Sequence, residues 1–246
     1  MTIQPNYPMV NLGNLYVQGG ALSFVSGTSI TIASGQFRDS TNVNDIVLSS
    51  AATIVASANG ANGLDVGALA NSTLYAVYVI GDSTGFNATA GLLSTSFSAP
   101  TLPAGYDMFR RIGAVLTSGA AAILDFSQAS RTIWYAAAIA TAVTAGASTT
   151  FALVNVSAMV PSAASSVILE AVLTADAGAT RTAAFKASGS SSAAGQVVMS
   201  SPASTVTSTS LVCPCSTITG TTGVDYLVSN VAAALAVSVF GYVDQL

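Results

Sequence analysis

The chain of 246 residues has no histidine, and only 7% of its residues are charged, against roughly 25% in an average soluble protein. Without imidazole it has no Ser-His or Cys-His nucleophile pair, no histidine metal ligand and no general base titrating near neutrality. The six cations, Arg38, Arg110, Arg111, Arg131, Arg181 and Lys186, never stand more than two in a row. Phosphate-neutralising clusters are therefore missing, and nucleic acid is not an expected partner. The two cysteines, Cys213 and Cys215, flank Pro214. That spacing strains a disulfide, and two thiols do not complete the four ligands of a zinc site, so they are expected to pack as small apolar side chains. The longest apolar runs, 133–143 and 231–240, fall short of the roughly 20 residues that span a bilayer. The first residues lack the basic segment and apolar core of a secretory signal. These absences lead to the expectation of a protein made in the cytoplasm, without membrane, metal or cofactor. No glycine-rich phosphate loop opens a helix. A Lys186/Ser188 pair and a carboxylate pair are the catalytic combinations left, and no enzyme is expected.

What is present is Ala, Ser, Thr, Gly and Val. A surface so poor in charge has little colloidal protection, which points to burial against further copies of the chain, a homo-oligomer. The expected fold is all-β: two β-sandwich or jelly-roll-like domains preceded by an extended N-terminal arm. Residues 1–20, with Pro5, Pro8 and three asparagines, suit an extended attachment arm. Residues 21–129 read as a first β domain of short β-prone runs separated by turn signals. Its clearest turn holds two Asn-Gly pairs, Asn59-Gly60 and Asn62-Gly63, a hairpin signal. Its run 73–80 reads as a central strand buried on both faces, and 109–116 with 122–126 as its last hairpin. Residues 130–246 read as a second β domain, a jelly-roll-like sandwich of seven to eight strands. The alanine-rich run 136–142 has helix propensity, but its Trp, Tyr and Val neighbours and lack of caps favour a strand.

Three features are candidates for a specific role. Arg110 and Arg111 are adjacent cations in an apolar stretch; on a strand they face opposite ways, and an ion pair of one of them with Asp107, Asp82 or Asp125 is expected, with a subunit or capsid contact as the alternative. Asp82-Ser83-Thr84-Gly85-Phe86-Asn87 has the alternating oxygens of a weak calcium loop, but is also ordinary turn chemistry. Trp134 and Tyr135, with Tyr7, Tyr16, Tyr106, Tyr226 and Tyr242, are either core and interface anchors or a surface on which a glycan could stack. No residue is assigned to catalysis, metal or cofactor.

Three segments carry a family resemblance: Asn59-Gly60-Ala61-Asn62-Gly63-Leu64-Asp65-Val66-Gly67, Leu74-Tyr75-Ala76-Val77-Tyr78-Val79-Ile80-Gly81-Asp82-Ser83-Thr84, and Leu102-Pro103-Ala104-Gly105-Tyr106-Asp107-Met108-Phe109-Arg110-Arg111-Ile112-Gly113. Their order and spacing resemble tailed-bacteriophage virion structural proteins of the head-fibre, tail-fibre-like or minor structural kind. The likeness covers roughly residues 20–130; beyond that only the closing Val239-Phe240-Gly241-Tyr242-Val243-Asp244 and the general β character agree. The resemblance implies a non-enzymatic capsid-decoration or head-fibre protein, a homotrimer in the virion whose partners are other virion proteins such as capsid or tail proteins. The alternative it implies is a receptor-binding tail-fibre or tail-tip protein that recognises a host surface glycan.

Overall fold

The computed structural model describes residues 16–191 and 196–246, and none of them lies in an α-helix. Twenty strands follow one another: β1 (Val17–Gly19), β2 (Leu22–Ser26), β3 (Ser29–Ile32), β4 (Gly35–Arg38), β5 (Asp45–Leu48), β6 (Ala52–Val55), β7 (Gly63–Leu64), β8 (Leu74–Gly81), β9 (Ala90–Ser94), β10 (Met108–Leu116), β11 (Phe126–Ala129), β12 (Thr132–Gly146), β13 (Ala152–Asn155), β14 (Ser166–Thr174), β15 (Arg181–Ala187), β16 (Val197–Ser201), β17 (Val206–Pro214), β18 (Ser216–Ile218), β19 (Thr221–Val228) and β20 (Ala234–Val243). The protein is thus all-β, with several small, mainly antiparallel sheets in a sandwich-like arrangement.

The N-terminal half holds the sheets β1-β4-β5, β2-β3-β6 and β10-β8-β9-β7. Alternation along the short strands sends Ile30, Ile32, Phe37, Ile46, Leu48 and Ile54 inward, where each buried aliphatic side chain contributes roughly 1.5–3 kcal/mol. β8 is buried from Tyr75 to Gly81. Its Tyr75, Val77 and Val79 join the main core, while Ala76, Tyr78 and Ile80 form a second cluster with Ala90 and Leu92. Leu102, Tyr106, Phe109 and Phe97 cover that second cluster, which explains the near-continuous apolarity of the strand.

The C-terminal half pairs two five-strand sheets, one ordered β11-β12-β20-β14-β17 and one ordered β13-β19-β15-β16 with β18 beside β19. Val167, Leu169, Ala171 and Leu173 of β14 and Leu235, Val237 and Val239 of β20 belong to the same cluster as Val154, Phe185, Met199, Val224 and Val228 of the facing sheet. The alanine-rich run lies within β12 and is strand; its flanking β-branched and aromatic residues outweigh the helix propensity of alanine.

Several expectations change. Residues 1–15 of the expected arm lie outside the described residues, but Val17–Gly19 pair with Gly35–Phe37, so an arm reaching residue 20 is too long. The two Asn-Gly pairs do not close a hairpin. Instead Val55 donates to the Asn62 carbonyl, Asn62 takes positive φ, and the chain passes into β7, which runs parallel to β9. The expected hairpin of 109–116 with 122–126 is reduced to a bridge between Thr117 and Ile123, because β10 pairs with β8 and β11 turns to β12. The position 129/130 falls at the turn between β11 and β12, inside one sheet, and the main hydrophobic cluster continues across it.

Tyr242 on β20 donates from its hydroxyl to the carbonyl of Ala114 on β10 at 2.8 Å, and both residues are fully buried. Removing the hydroxyl leaves a buried acceptor short of a donor. Tyr242→Phe should lower stability by about 1–2 kcal/mol, read from the midpoint of denaturant unfolding; an unchanged midpoint would show that this bond is no tie between the halves.

Candidate functional site

The stretch 102–113 divides into a clasp and a strand. In the clasp, Gly105 has φ +83°, where a Cβ would also lie 2.5 Å from Asn87 Nδ2, so the close approach of the two loops requires glycine. Asn87 donates to the Gly105 carbonyl at 3.1 Å, and the Tyr106 hydroxyl donates to the Ala88 carbonyl at 2.9 Å. The Asp107 carboxylate accepts from the Ser83 amide at 2.8 Å and from the Ser83 hydroxyl. Asp82 accepts from the amide and hydroxyl of Thr84 through one oxygen, and from the amide and side chain of Asn87 through the other. These bonds, that from the Thr84 hydroxyl first, hold the Asp82 carboxyl down at about 2. Its oxygens are met by donors, so the loop does turn chemistry. The loop carries Phe86 at its tip, 91% exposed.

In the strand, Arg111 makes a bidentate pair with Asp244, Nη1 to Oδ2 at 2.7 Å and Nη2 to Oδ1 at 3.0 Å, and Nη2 also donates to the Gln245 carbonyl at 2.7 Å. Only 13% of the Arg111 side chain and 3% of that of Asp244 remain exposed. The guanidinium carbon lies 5.9 Å from the centre of the Phe97 ring, and Tyr78 and Phe109 meet edge to face nearby. The partner of Arg111 is therefore Asp244 rather than Asp107, Asp82 or Asp125. Asp82 and Asp107 come together, but with hydroxyl and amide donors. Arg110 is buried; burial lowers its guanidinium below the ordinary value, the like charges of Arg111 and Arg131 add to this, and Asp39 opposes it.

The aromatic pair separates. Trp134 is 40% exposed, whereas Tyr135 is buried, donates to the Met159 carbonyl at 2.7 Å and packs against Tyr242. Neighbouring residues on β12 face opposite ways, so the two cannot form one stacking surface. Tyr226 and Tyr242 are buried and Tyr106 is half-buried; Tyr16 stacks on Arg38, and Tyr7 lies outside the described residues. Cys213 and Cys215 are free and buried, with Cys215 donating to the Ala164 carbonyl.

A feature missed at the level of sequence is an apolar groove of about 560 Å³ walled by Leu116, Leu124, Tyr135, Ala137, Ile139 and Met159. Its walls come from β10, β12 and three connecting loops, and no local pattern joins them. Among the described residues no group of three or more His, Cys, Asp or Glu is placed to hold a metal, and no helix is long and apolar enough to cross a membrane. No protein-family model, curated protein or solved structure matches the chain.

Breaking the buried ion pair leaves an uncompensated charge. Arg111→Ala or Asp244→Asn should each cost about 3–5 kcal/mol, and the double variant less than the sum; additive losses in denaturant unfolding would deny the pairing.

The pH dependence has a defined sign at each end. Burial pushes the Cys213 thiol to about 12, the Cys215 thiol to about 11 and the Tyr78 phenol to about 12. The folded state binds these protons more tightly than the unfolded one, so their stabilisation is complete below the unfolded values and is lost as pH rises through about 9–12. For Asp39, burial alone would raise the carboxyl, but bonds from Thr41, Asn44 and Val43 lower it. That stabilisation, like that of Asp82, is present above the unfolded value and is lost as pH falls below about 4. With no histidine, unfolding midpoints should be flat between about pH 5 and 8 and fall outside that range; a step inside it would contradict these assignments.

Proposed function

We propose that the chain is a non-enzymatic structural subunit of a tailed-phage virion, of capsid-decoration or head-fibre type. In this reading it is assembled with copies of itself, as a homotrimer, and its C-terminal half is a jelly roll. The observation that carries the reading is the strand order of the two facing sheets, β12-β20-β14-β17 and β13-β19-β15-β16. Along the chain, β12, β14, β17 and β20 fall in one sheet and β13, β15, β16 and β19 in the other. That is the order expected of an eight-stranded jelly roll, an architecture used by viral capsid and lectin domains. Fold alone does not give function. The charge-poor surface supports assembly, and the stretch that bears the family resemblance is spent on internal ties, Arg111 to Asp244 and Asp107 to Ser83, rather than on a reactive centre.

A second reading, a receptor-binding tail protein, draws support from one place. Phe86 and Tyr106 line a shallow groove with Asp82 and Asp107, and aromatic faces beside carboxylates suit a sugar. Those carboxylates already accept bonds from their own loop, which is why this reading ranks second.

The test uses particles assembled without the chain, mixed with the full-length protein or with residues 16–246 and imaged by electron cryomicroscopy. Full-length protein should add density at symmetry-related head positions, and the shortened protein, which keeps β1, should fold equally well and fail to attach. Full occupancy by the shortened protein would remove the attachment role of the arm. No binding by the full-length protein, with retention on host-surface glycan that Phe86→Ala abolishes, would favour the second reading.

A further inference from the structure

We propose that the outer edge of β12, together with the apolar groove beside it, is the surface on which a second copy of this chain docks. The proposal rests on the reading above that the chain self-assembles, and names where it does so. β12 is fifteen residues long. On one side it pairs with β20, the register skipping from Trp134 to Ile139; on the other it pairs with β11 only over Thr132–Tyr135, and the last backbone bond there is from the Ala136 amide to the Asp125 carbonyl. From Ala137 to Gly146 that edge has no backbone partner among the described residues. Ala136, Ala137 and Ala138 are exposed and, with Ile139, lie directly on the groove.

An unpaired strand edge is a template for another chain, and proteins usually guard it with charge, proline or bulges. Charge and proline are both missing here: from Thr132 to Leu169 there is no Asp, Glu, Lys or Arg, and no proline before Pro161. The register shifts along β12 bend the edge but place no charge on it.

The neutrality also identifies the occupant. Around the axis of a homotrimer the same residues of each copy approach one another, so a charge there meets its own sign, and an edge used near the axis does best without charge. A basic or acidic partner would instead be met by a complementary charged patch, and the groove offers a single acid, Asp125, in an exposed position. Small side chains at 136–138 let a second backbone come close, and the groove takes the apolar side chains that such an approach brings.

The test is the mass of the full chain across a concentration series, by sedimentation, for the wild type, Ala138→Lys and Val198→Lys. Val198 is an exposed apolar residue of β16 in the facing sheet and serves as the control. The wild type and Val198→Lys should assemble alike, while Ala138→Lys, folded by circular dichroism, should need at least about tenfold more protein to reach half assembly, one charge buried without a partner being costly. If the wild type assembles and Ala138→Lys assembles equally well, this surface is wrong and the self-assembly reading stands. A wild type that stays monomeric overturns both, and equal loss in both variants overturns the assignment to this edge. Should Ala138→Lys not fold, Ala138→Cys replaces it: its thiol, the native pair being buried, should react with a maleimide more slowly as protein concentration rises, and a concentration-independent rate would overturn the proposal.

Discussion

Arg111 and Asp244 lie 133 residues apart in the chain and meet almost out of water. A charge in that position is tolerable only with its partner, so the pair couples β10, near the end of the N-terminal half, to the residue that follows β20. Around it the same two strands are joined again by Tyr242 reaching Ala114, and the Asp244 amide donates to the Arg131 carbonyl at the turn between β11 and β12. With six cations in the whole chain, setting one in this place makes it the main electrostatic constraint on how the halves meet. The neighbouring Arg110 is also buried, and Phe97, Phe109 and Tyr78 line one small pocket with both arginines.

Much of the fold was legible because it is written locally. Tyr, Val and Ile at 74–80 gave β8 and its two buried faces, and β-branched runs gave the longer strands of the C-terminal half. Short strands such as β1, β4, β7 and β18 left no periodic signal, since two to four residues do not fill a repeat. Choice of partner was not legible at all. Whether Asn59–Gly63 closes a hairpin or leads into a parallel pair depends on β9, about thirty residues on, and the acid that meets Arg111 stands at the far end of the chain. Strand alternation, applied to Arg110 and Arg111, also places Trp134 and Tyr135 on opposite faces, and the structure puts one in partial solvent and the other in the core.

The same physics separates the inside of the molecule from its outside. Charged and strongly polar groups are used mostly in internal ties, among them Asp39 to its loop, Asp82 and Asp107 to theirs, and Asp244 to Arg111. The surface is left to Ser, Thr, Ala and Val, with Val25, Val55, Val198, Val206 and Val212 exposed on strands. Such a surface suits a protein whose outer faces meet other protein over long flat areas, where each charge would have to shed its water. The virion subunit proposed above would meet that requirement, as would the charge-free edge of β12 and its groove.

If the Arg111–Asp244 closure makes the two halves one cooperative unit, native-state hydrogen exchange is the direct measurement. Amides of β8 and β10 and amides of β14 and β20 should open with the same free energy, and Asp244→Asn should lower all of them together. Protection that falls only in the C-terminal half, or core amides of the two halves opening with free energies separated by more than about 2 kcal/mol, would contradict the account.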